Sequence, residues 1–317
     1  MFQYKFGIEI EFTGITRAKA AAVAAAYFSG NTSTTNDYYR SSYATDPSGR
    51  KWRFMSDASI RCQRKSGRQI VSAGNDYSVE LVSPILTYRE DINTVQELVR
   101  RLRKAGGFTN DTCGIHVHLN GEDHSPKSLR NFINIIASKN DLFYKALQIP
   151  TARMRFCKKM DSYLVEQMNR VKPRTFKQIE DIWYGHNRDH DHDRSMRYHH
   201  SRYHFCNLHS FFSSGCNRTV ELRGFNSVLH AGKVRAYICL ALALNNHALT
   251  LNSASSRKVQ SDNEKFAMRV FLNRIGFIGE EFKSCREHLY KHLDGNAAWR
   301  WGRDLRLDNQ RGDDSNV

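Results

Sequence analysis

Four short segments of the chain alternate strictly between apolar and polar residues. In residues 6–12, Ile8 and Ile10 alternate with Glu9 and Glu11. The same pattern surrounds Glu80 in residues 78–82, His116 and His118 in residues 114–120, and Glu221 and Arg223 in residues 219–225. Successive side chains of a β-strand point to opposite faces of the sheet. Each segment therefore predicts a strand with one buried face and one face that carries chemically active groups.

An ordinary antiparallel sheet with one face in water is the alternative interpretation, because it gives the same alternation. The outward positions of such a sheet are commonly Lys, Ser or Thr as well as Glu. Here the polar positions are almost entirely Glu, His and Arg, which bind metals and phosphates. The set of four segments therefore favours one shared functional site.

The rest of the pattern predicts an α+β fold in which helices cover one face of a curved antiparallel sheet. A capping signal at Ser125-Pro126 starts one helix. The other predicted elements are helices at 17–28, 89–105, 231–250 and 263–293, strands at 52–60 and 69–82, and a long loop at 29–50. We expect a single catalytic domain over residues 1–300 and a polar, flexible tail over 301–317.

Net charge, apolar runs and cysteine content limit the classes of protein to which the chain can belong. The 317 residues carry a formal net charge of +16, which favours an anionic partner, with nucleic acid among the candidates. No apolar run is long enough for a membrane span or typical of a signal peptide, so we expect no membrane association. Seven cysteines without a Cys-x-x-Cys pair indicate neither a disulfide framework nor a zinc knuckle. These features together predict a cytoplasmic protein.

Residues 186–209 are unusually rich in histidine, with Asp and Arg interspersed. A metal-binding tract is one interpretation. The segment has neither a helical nor a strand period, which favours a mobile polar loop that covers the site. Its role stays open at this stage.

The polar positions of the four strands suit phosphoryl chemistry. Glu9 and Glu11 lie two residues apart, about 6.6–6.8 Å along one face, and can reach different ions of a two-metal site. Carboxylates with imidazole suit Mg²⁺ or Mn²⁺. Arg218 and Arg223 offer permanently charged donors to a transferring phosphoryl group. The chain has no Gly-x-x-x-x-Gly-Lys-Ser/Thr loop, so a nucleotide would be held differently from P-loop enzymes.

The motifs on these four strands resemble those of a known family. Four motifs occur in order along residues 6–226, namely Phe-Gly-Ile-Glu-Ile-Glu-Phe, Glu-Leu-Val-Ser-Pro, Cys-Gly-Ile-His-Val-His and Thr-Val-Glu-Leu-Arg-Gly-Phe-Asn. Together they resemble the putative amidoligase family, within the glutamine synthetase-like carboxylate–amine ligases. The resemblance implies ATP-dependent amide bond formation through an acyl phosphate, on the concave face of a curved antiparallel sheet. The carboxylate and amine substrates stay unidentified.

The resemblance also implies roles for individual residues. Glu9, His116 and Glu221 match ligands of the metal ion on the transferred phosphate, whereas Glu11 and Glu80 match ligands of a second ion. His118 matches a residue beside the nucleotide phosphates, and Arg223 a phosphate-binding arginine. Arg202 resembles an arginine that meets the acyl phosphate.

Two questions remain open from the sequence. Ser56-Asp57-Ala58-Ser59 resembles an Asp-Gly-Ser turn of the family, with Ala58 at the glycine, which leaves a role for Asp57 undecided. The alternatives to a ligase are a metal-dependent hydrolase that uses the His-x-His strand and a basic nucleic-acid-binding protein.

Overall fold

A large antiparallel sheet dominates the computed structural model, which describes residues 2–185, 194–196, 198–213, 218–258 and 261–300. Its strands are β1 (Lys5–Phe12), β2 (Thr32–Thr34), β3 (Ser42–Thr45), β4 (Lys51–Met55), β7 (Val79–Val82), β8 (Leu86–Thr87), β9 (Gly114–Asn120), β10 (Cys206–Asn207) and β11 (Thr219–Asn226), and a separate hairpin pairs β5 (Gln63–Ser66) with β6 (Gln69–Ser72). The strand order is β10-β11-β9-β1-β7-β4-β3-β2, with β8 beside β1. The expected curved, open antiparallel sheet is confirmed.

Some of the helices cover the apolar face of this sheet, and others pack against those helices. The helices of the described residues are α1 (Arg17–Phe28), α2 (Tyr88–Lys104), α3 (Pro126–Ala146), α4 (Ser162–Val171), α5 (Phe176–Gly185), α6 (His209–Phe212), α7 (Ala231–Thr250), α8 (Glu264–Arg274) and α9 (Lys283–Tyr290). The long apolar helix α7 contacts β9 and packs against α2, α3 and α9, while α1 lies over β3 and β4. The α+β class is thus confirmed, with the polar face of the sheet left available for a site.

Apolar positions of the central strands explain this layering. Ile8, Ile10 and Phe12 of β1 are buried, as are Val117 and Leu119 of β9. Each buried aliphatic or aromatic side chain contributes roughly 1.5–3 kcal/mol relative to exposure. The alternation therefore fixes which face of each strand meets the helices, because a shift of one residue would expose the whole apolar set.

Local signals set several helix boundaries as expected. Ser125 and Ser128 form a capping box at the start of α3, with Pro126 in its first turn. Helix α1 begins after Thr16, whose side chain accepts a hydrogen bond from the Lys19 backbone N–H, and ends at Ser29 in a left-handed conformation. Both ends follow from side-chain or backbone capping of groups that the helix leaves unpaired.

Three expectations about elements were wrong in part. Residues 29–50 contain strands β2 and β3 rather than one long loop. The predicted strand 69–82 is two strands, β6 and β7, separated by a short 3-10 helix at Asn75–Tyr77. The predicted helix 263–293 is broken into α8 and α9 by Gly276 and Gly279, which both have positive φ angles. Ser, Thr and Asn enrichment in 29–50 hid strands that are stabilised by pairing rather than by composition.

Other expectations concern the whole chain. In the described residues no helix combines the length and apolarity that a membrane crossing requires. The cysteines of the described ranges are free thiols, as the absence of paired spacing predicted. The expected tail, residues 301–317, lies outside the described residues, and the division at residue 300 stays a prediction.

Candidate active site

Strand register brings the four motifs together on the polar face. Residues directly opposite each other in an antiparallel pair share a face of the sheet. Glu9 lies opposite His116, Glu11 opposite Glu80, and His118 opposite Glu221. The side chains that the sequence singled out on β1, β7, β9 and β11 therefore converge on one patch.

One end of the patch is a cluster of two glutamates and two histidines. His116 Nδ1 lies 2.8 Å from Glu9 Oε2 and 3.6 Å from Glu221 Oε1. His118 Nε2 lies 3.2 Å from Glu9 Oε1. Ligand atoms of Glu9, His118 and Glu221 all lie within 4.8 Å of one another. These donors are close enough to hold one cation.

An adjoining cluster consists of carboxylates. One ligand atom each from Glu11, Glu80 and Asp57 lies within 4.8 Å of the others. His116 connects the two clusters, since its Nε2 atom lies 3.8 Å from Glu11 Oε1. The arrangement offers a second position for a cation, directly beside the first.

The sequence left the role of Asp57 undecided, and the structure shows where its side chain lies. The Ser78 hydroxyl accepts a hydrogen bond from the Asp57 backbone N–H at 2.9 Å, and Asp57 Oδ1 accepts one from the Ser59 backbone N–H at 2.6 Å. This turn forms with Ala58 at its tip, so glycine is not required there. The structure thus supplies a third carboxylate to the second cluster, which the strand pattern alone did not reveal.

Glu221 is held from both sides. Arg223 Nη1 donates to Glu221 Oε1 at 2.6 Å, and Asn207 Nδ2 donates to Oε2 at 2.7 Å. The carbonyl oxygen of the Asn207 side chain accepts a hydrogen bond from the His209 backbone N–H at 2.7 Å. Asn207 therefore fixes the orientation of Glu221. Sequence analysis missed it because β10 has only two residues and no alternation.

A β-bulge aims Arg223 at the carboxylates. The register of β11 against β9 shifts between Leu222 and Phe225. A bulge of this kind bends the strand and redirects a side chain. Gly224 sits in the bulge, and a Cβ atom there would lie 2.0 Å from the Phe205 ring. Glycine at this position therefore allows Phe205 to pack against the strand that carries Arg223.

Arg153 supports the same bulge from outside the four motifs. Its guanidinium donates to the Phe225 carbonyl at 2.6 Å and to the Arg223 carbonyl at 3.3 Å. It lies so close to Gly114 that a Cβ there would be 2.4 Å from Arg153 Nη2. The Gly114 backbone N–H donates to Glu11 Oε2 at 2.6 Å. Glycine is therefore needed at position 114, because a side chain there would collide with Arg153 while the backbone N–H binds Glu11.

The electrostatics of the first cluster favour charged groups. Burial raises the pKa of Glu221, but Arg223 and the two histidines outweigh it and lower that pKa to about 2. Burial lowers the pKa of His118, but Glu9 and Glu221 outweigh it and raise that pKa to about 9. Glu9 likewise has a pKa well below its usual value, because His118 and His116 outweigh burial.

The second cluster behaves in the opposite way. Burial, followed by repulsion from Glu9, Glu11 and Asp57, raises the pKa of Glu80 well above that of an ordinary glutamate. Burial also raises the pKa of Glu11. Crowded carboxylates resist ionisation unless a cation joins them. The donor set, rich in hard oxygen atoms, suits Mg²⁺ or Mn²⁺.

Comparison with known proteins agrees with this geometry. A family model described as putative amidoligase enzyme matches residues 3–245, which is most of the chain. The chain belongs to the putative amidoligase enzyme family. A comparison with curated proteins gave no match. The matched range contains all the residues of both clusters, and membership supports an enzyme of the ligase class.

The two remaining arginines lie in different places. Arg202 and Arg223 both lie over the Tyr203 ring, with their Cζ atoms 5.9 and 6.0 Å from its centroid. Arg202 is thus at the edge of the patch. Arg218 is exposed, and its guanidinium lies over the rings of Phe176 and Phe211. Arg218 lies two residues before buried Val220, so its side chain points to the face of Val220 rather than to that of Glu221. The structure therefore does not bring Arg218 to the carboxylates.

The described part of the histidine-rich segment is bound into the fold. The Tyr184 hydroxyl and His209 Nδ1 are 2.7 Å apart, and the His199 and His209 rings stack at 5.5 Å. Within the described residues, the groups that could hold a metal ion lie in the carboxylate patch and not in this segment. Residues 186–193 and 197 lie outside the described residues, so the interpretation of that part stays open.

Proposed function

We propose that this protein joins a carboxylate and an amine in an amide bond, with ATP as the energy source and Mg²⁺ or Mn²⁺ at the carboxylate patch. The observation that carries the proposal is the pair of adjoining clusters in a member of the amidoligase family. Five carboxylates converge there with two imidazoles, and Arg223 lies at their edge. Three of these acids, Glu11, Glu80 and Glu221, are buried, and buried acids this close together favour a cation that neutralises them.

The clusters fit two ions. Glu9, Glu221 and the imidazoles of His116 and His118 would hold one of them, and Glu11, Glu80 and Asp57 the other. Divalent ions held there would supply positive charge that neutralises the charge developing during phosphoryl transfer. This chemistry is supplied by the ions, whereas the protein supplies their spacing through the register of β1, β7 and β9.

The reaction that we propose has two balanced steps. A carboxylate oxygen of the acid substrate attacks the terminal phosphorus of ATP, and ADP leaves with the electrons of the broken P–O bond. The amine nitrogen then attacks the acyl carbon, inorganic phosphate leaves, and the nitrogen loses a proton. Arg223, held by Glu221, and Arg202, across the Tyr203 ring, would stabilise the negative charge on the transferring phosphoryl group.

A hydrolytic zinc site fits the geometry less well. Zinc sites commonly employ three or four protein ligands with imidazole or thiolate prominent. In this patch the carboxylates outnumber the imidazoles and form overlapping groups, since Glu9, Glu80 and His116 also lie within ligand distance of one another. The arrangement therefore favours two hard ions over one zinc ion.

Nucleotide binding with and without metal tests the proposal. We expect a non-hydrolysable ATP analogue to bind in isothermal titration with excess Mg²⁺ and to bind far more weakly in EDTA, because bare carboxylates repel the triphosphate. Arg100→Lys, on the outer surface of α2, is the control and should retain wild-type binding. Equal affinity in EDTA would contradict the proposed metal role.

A further inference from the structure

The polar face of the sheet continues beyond the carboxylates to its other end. Val82 of β7 pairs with Glu9 on one side and with Arg53 of β4 on the other, and Arg53 pairs with Tyr43 of β3. Directly paired residues share a face. Arg53 and Tyr43 therefore lie on the same face as the metal-binding carboxylates, in the same row across the strands.

Cationic and aromatic side chains interleave at that end. The Arg53 guanidinium carbon lies 5.5 Å from the Tyr39 ring centroid and 5.9 Å from that of Tyr43. Lys51 Nζ lies 5.9 Å from the Tyr43 ring centroid. Pairs at these distances are cation–π contacts, which order the rings without burying them.

Hydrogen bonds and an ion pair tie down the loop that carries the next tyrosines. Asp37 accepts hydrogen bonds from the Ser41 backbone N–H and hydroxyl and forms an ion pair with Arg53 at 2.9 Å. Ser56 donates its backbone N–H to the Tyr39 carbonyl at 3.1 Å. This loop holds Tyr38 with 90% of its surface in solvent. The Tyr38 ring therefore contributes almost nothing to the core and is accessible to a ligand.

The histidine-rich segment continues the row back to the catalytic patch. The Tyr198 and Tyr39 hydroxyls are 3.3 Å apart, and Tyr198 is 57% exposed. Arg202 lies 5.4 Å from the Tyr198 ring centroid and 5.9 Å from that of Tyr203, which also contacts Arg223. Tyrosines and cations thus form a row of contacts from strands β3 and β4 to the edge of the carboxylates.

We propose that this aromatic–cationic track, Lys51, Arg53, Tyr38, Tyr43, Tyr198 and Arg202, binds single-stranded nucleic acid. Unpaired bases stack on exposed aromatic rings, and Lys51 and Arg202 neutralise the phosphates, whereas Arg53 is paired with Asp37 and orders the rings beside it. An acidic peptide would use the cations but leave the exposed rings without planar partners. A duplex hides the base faces that the rings need. The net charge of +16 supplies the long-range attraction for a polyanion.

Binding of this kind is separable from amide bond formation. We therefore test it without ATP and in EDTA, where the proposed ligase reaction cannot occur. Fluorescence anisotropy with labelled oligothymidine or oligouridine of about 12 nucleotides covers the site sizes typical of such surfaces. We expect saturable binding that weakens steeply with salt, and either sugar supports the proposal.

Two variants locate the binding surface. Tyr38→Ala should weaken binding roughly tenfold, as loss of one stacking platform does. Tyr163→Ala, at a 47% exposed tyrosine on α4, is its matched control and should bind like wild type. Lys51→Ala should reduce the slope of log affinity against log salt by about 0.7, whereas Arg100→Ala should leave it unchanged. Circular dichroism melting confirms that each variant is folded.

Several outcomes would overturn the proposal. They are the absence of binding by wild-type protein, equal affinity in folded Tyr38→Ala, equal affinity for a duplex of the same length, and full displacement by polyglutamate at equal charge. None of these depends on turnover. A failure of the ligase proposal would instead appear as metal-independent nucleotide binding, so the two failures are distinguishable.

Discussion

The two ends of the polar face carry opposite charge in opposite surroundings. At the acidic end Glu11, Glu80 and Glu221 are buried among other ionisable groups, in a protein whose overall charge is +16. At the basic end Arg53 and Lys51 are partly or fully exposed between tyrosines. Buried charge needs a nearby partner of opposite sign, whereas exposed charge is already solvated. The acidic end therefore favours a cation as ligand, and the basic end favours an anion.

Two aspartates, one at each end, show the same contrast in the charges that they face. Asp57 and Asp37 each cap their own turn by accepting a hydrogen bond from a following backbone N–H, from Ser59 and Ser41 respectively. Asp57 nevertheless faces Glu11 and Glu80, whereas Asp37 faces Arg53. The same type of turn thus adds the Asp57 carboxylate to the second cluster at one end and pairs Asp37 with Arg53 at the other. Function here depends on what the turn faces, not on the turn itself.

The largest expected effect comes from breaking the acidic end. Glu221→Gln keeps the shape of the side chain but removes one ligand charge, and Arg223→Lys keeps the charge but loses the planar fork. With a true acid and amine substrate, both should reduce metal-dependent ATP turnover by about two orders of magnitude or more, as loss of a transition-state donor does.

Arg100→Lys in the exposed part of α2 is the control for both variants. It should leave turnover unchanged, because its contact is an exposed pair with Glu97. A Glu221→Gln protein that is folded and turns over ATP at a near-normal rate would refute the assignment of this patch to the ligase reaction.

A smaller effect is expected from the residue that orients Glu221. Asn207→Ala removes the amide that holds Glu221 Oε2 but leaves every proposed metal ligand in place. Loss of a residue that orients a metal ligand typically costs about 10–100-fold in metal affinity. We therefore expect the Mg²⁺ concentration that supports nucleotide binding to rise by about that factor, measured by titration of metal at fixed analogue.

Asn134→Ala is the matched control for the asparagine. Asn134 is equally buried, but its amide donates to Asn169 and to the Ala254 carbonyl, away from the site. It should lower thermal stability and leave the metal titration unchanged. If Asn207→Ala behaves in the same way, Asn207 contributes to packing only.

The sequence predicts the acidic end better than the basic end for a physical reason. Alternation on long strands fixes which side chains of each strand share a face, and the family resemblance then grouped Glu9, His116 and Glu221 before any coordinates. Asp57 and Asn207 lie on a turn and on a two-residue strand, where no period exists. Their roles depend on contacts between distant segments, which local patterns do not encode.

The basic end shows the same limit more strongly. Residues 29–50 are polar, and their strands are recognised only through the pairing of β2 with β3 and of β3 with β4. The approach of Tyr198 to Tyr39 joins positions 159 residues apart. Arg218 shows the reverse case, because its residue type suits phosphate binding, whereas the structure places it just before β11 and over the Phe211 ring.

The smallest effect concerns stability without metal. Burial and the neighbouring carboxylates raise the pKa of Glu80 in the folded protein above its ordinary value of 4.5. The folded state therefore holds this proton more tightly than the unfolded state. The resulting contribution to the stability of the fold is present below pH 4.5 and lost as pH rises toward the folded pKa.

Glu80→Gln cannot ionise, so in EDTA at about pH 8 it should melt above wild type by a few degrees, since 1 kcal/mol corresponds to roughly 2–4 °C in a domain of moderate size. The difference should shrink near about pH 5 and reverse with excess Mg²⁺, because only wild type then gains a ligand for the ion. Differential scanning calorimetry under the three conditions measures this, and a variant that melts below wild type in EDTA at both pH values would show that the carboxylates do not repel one another.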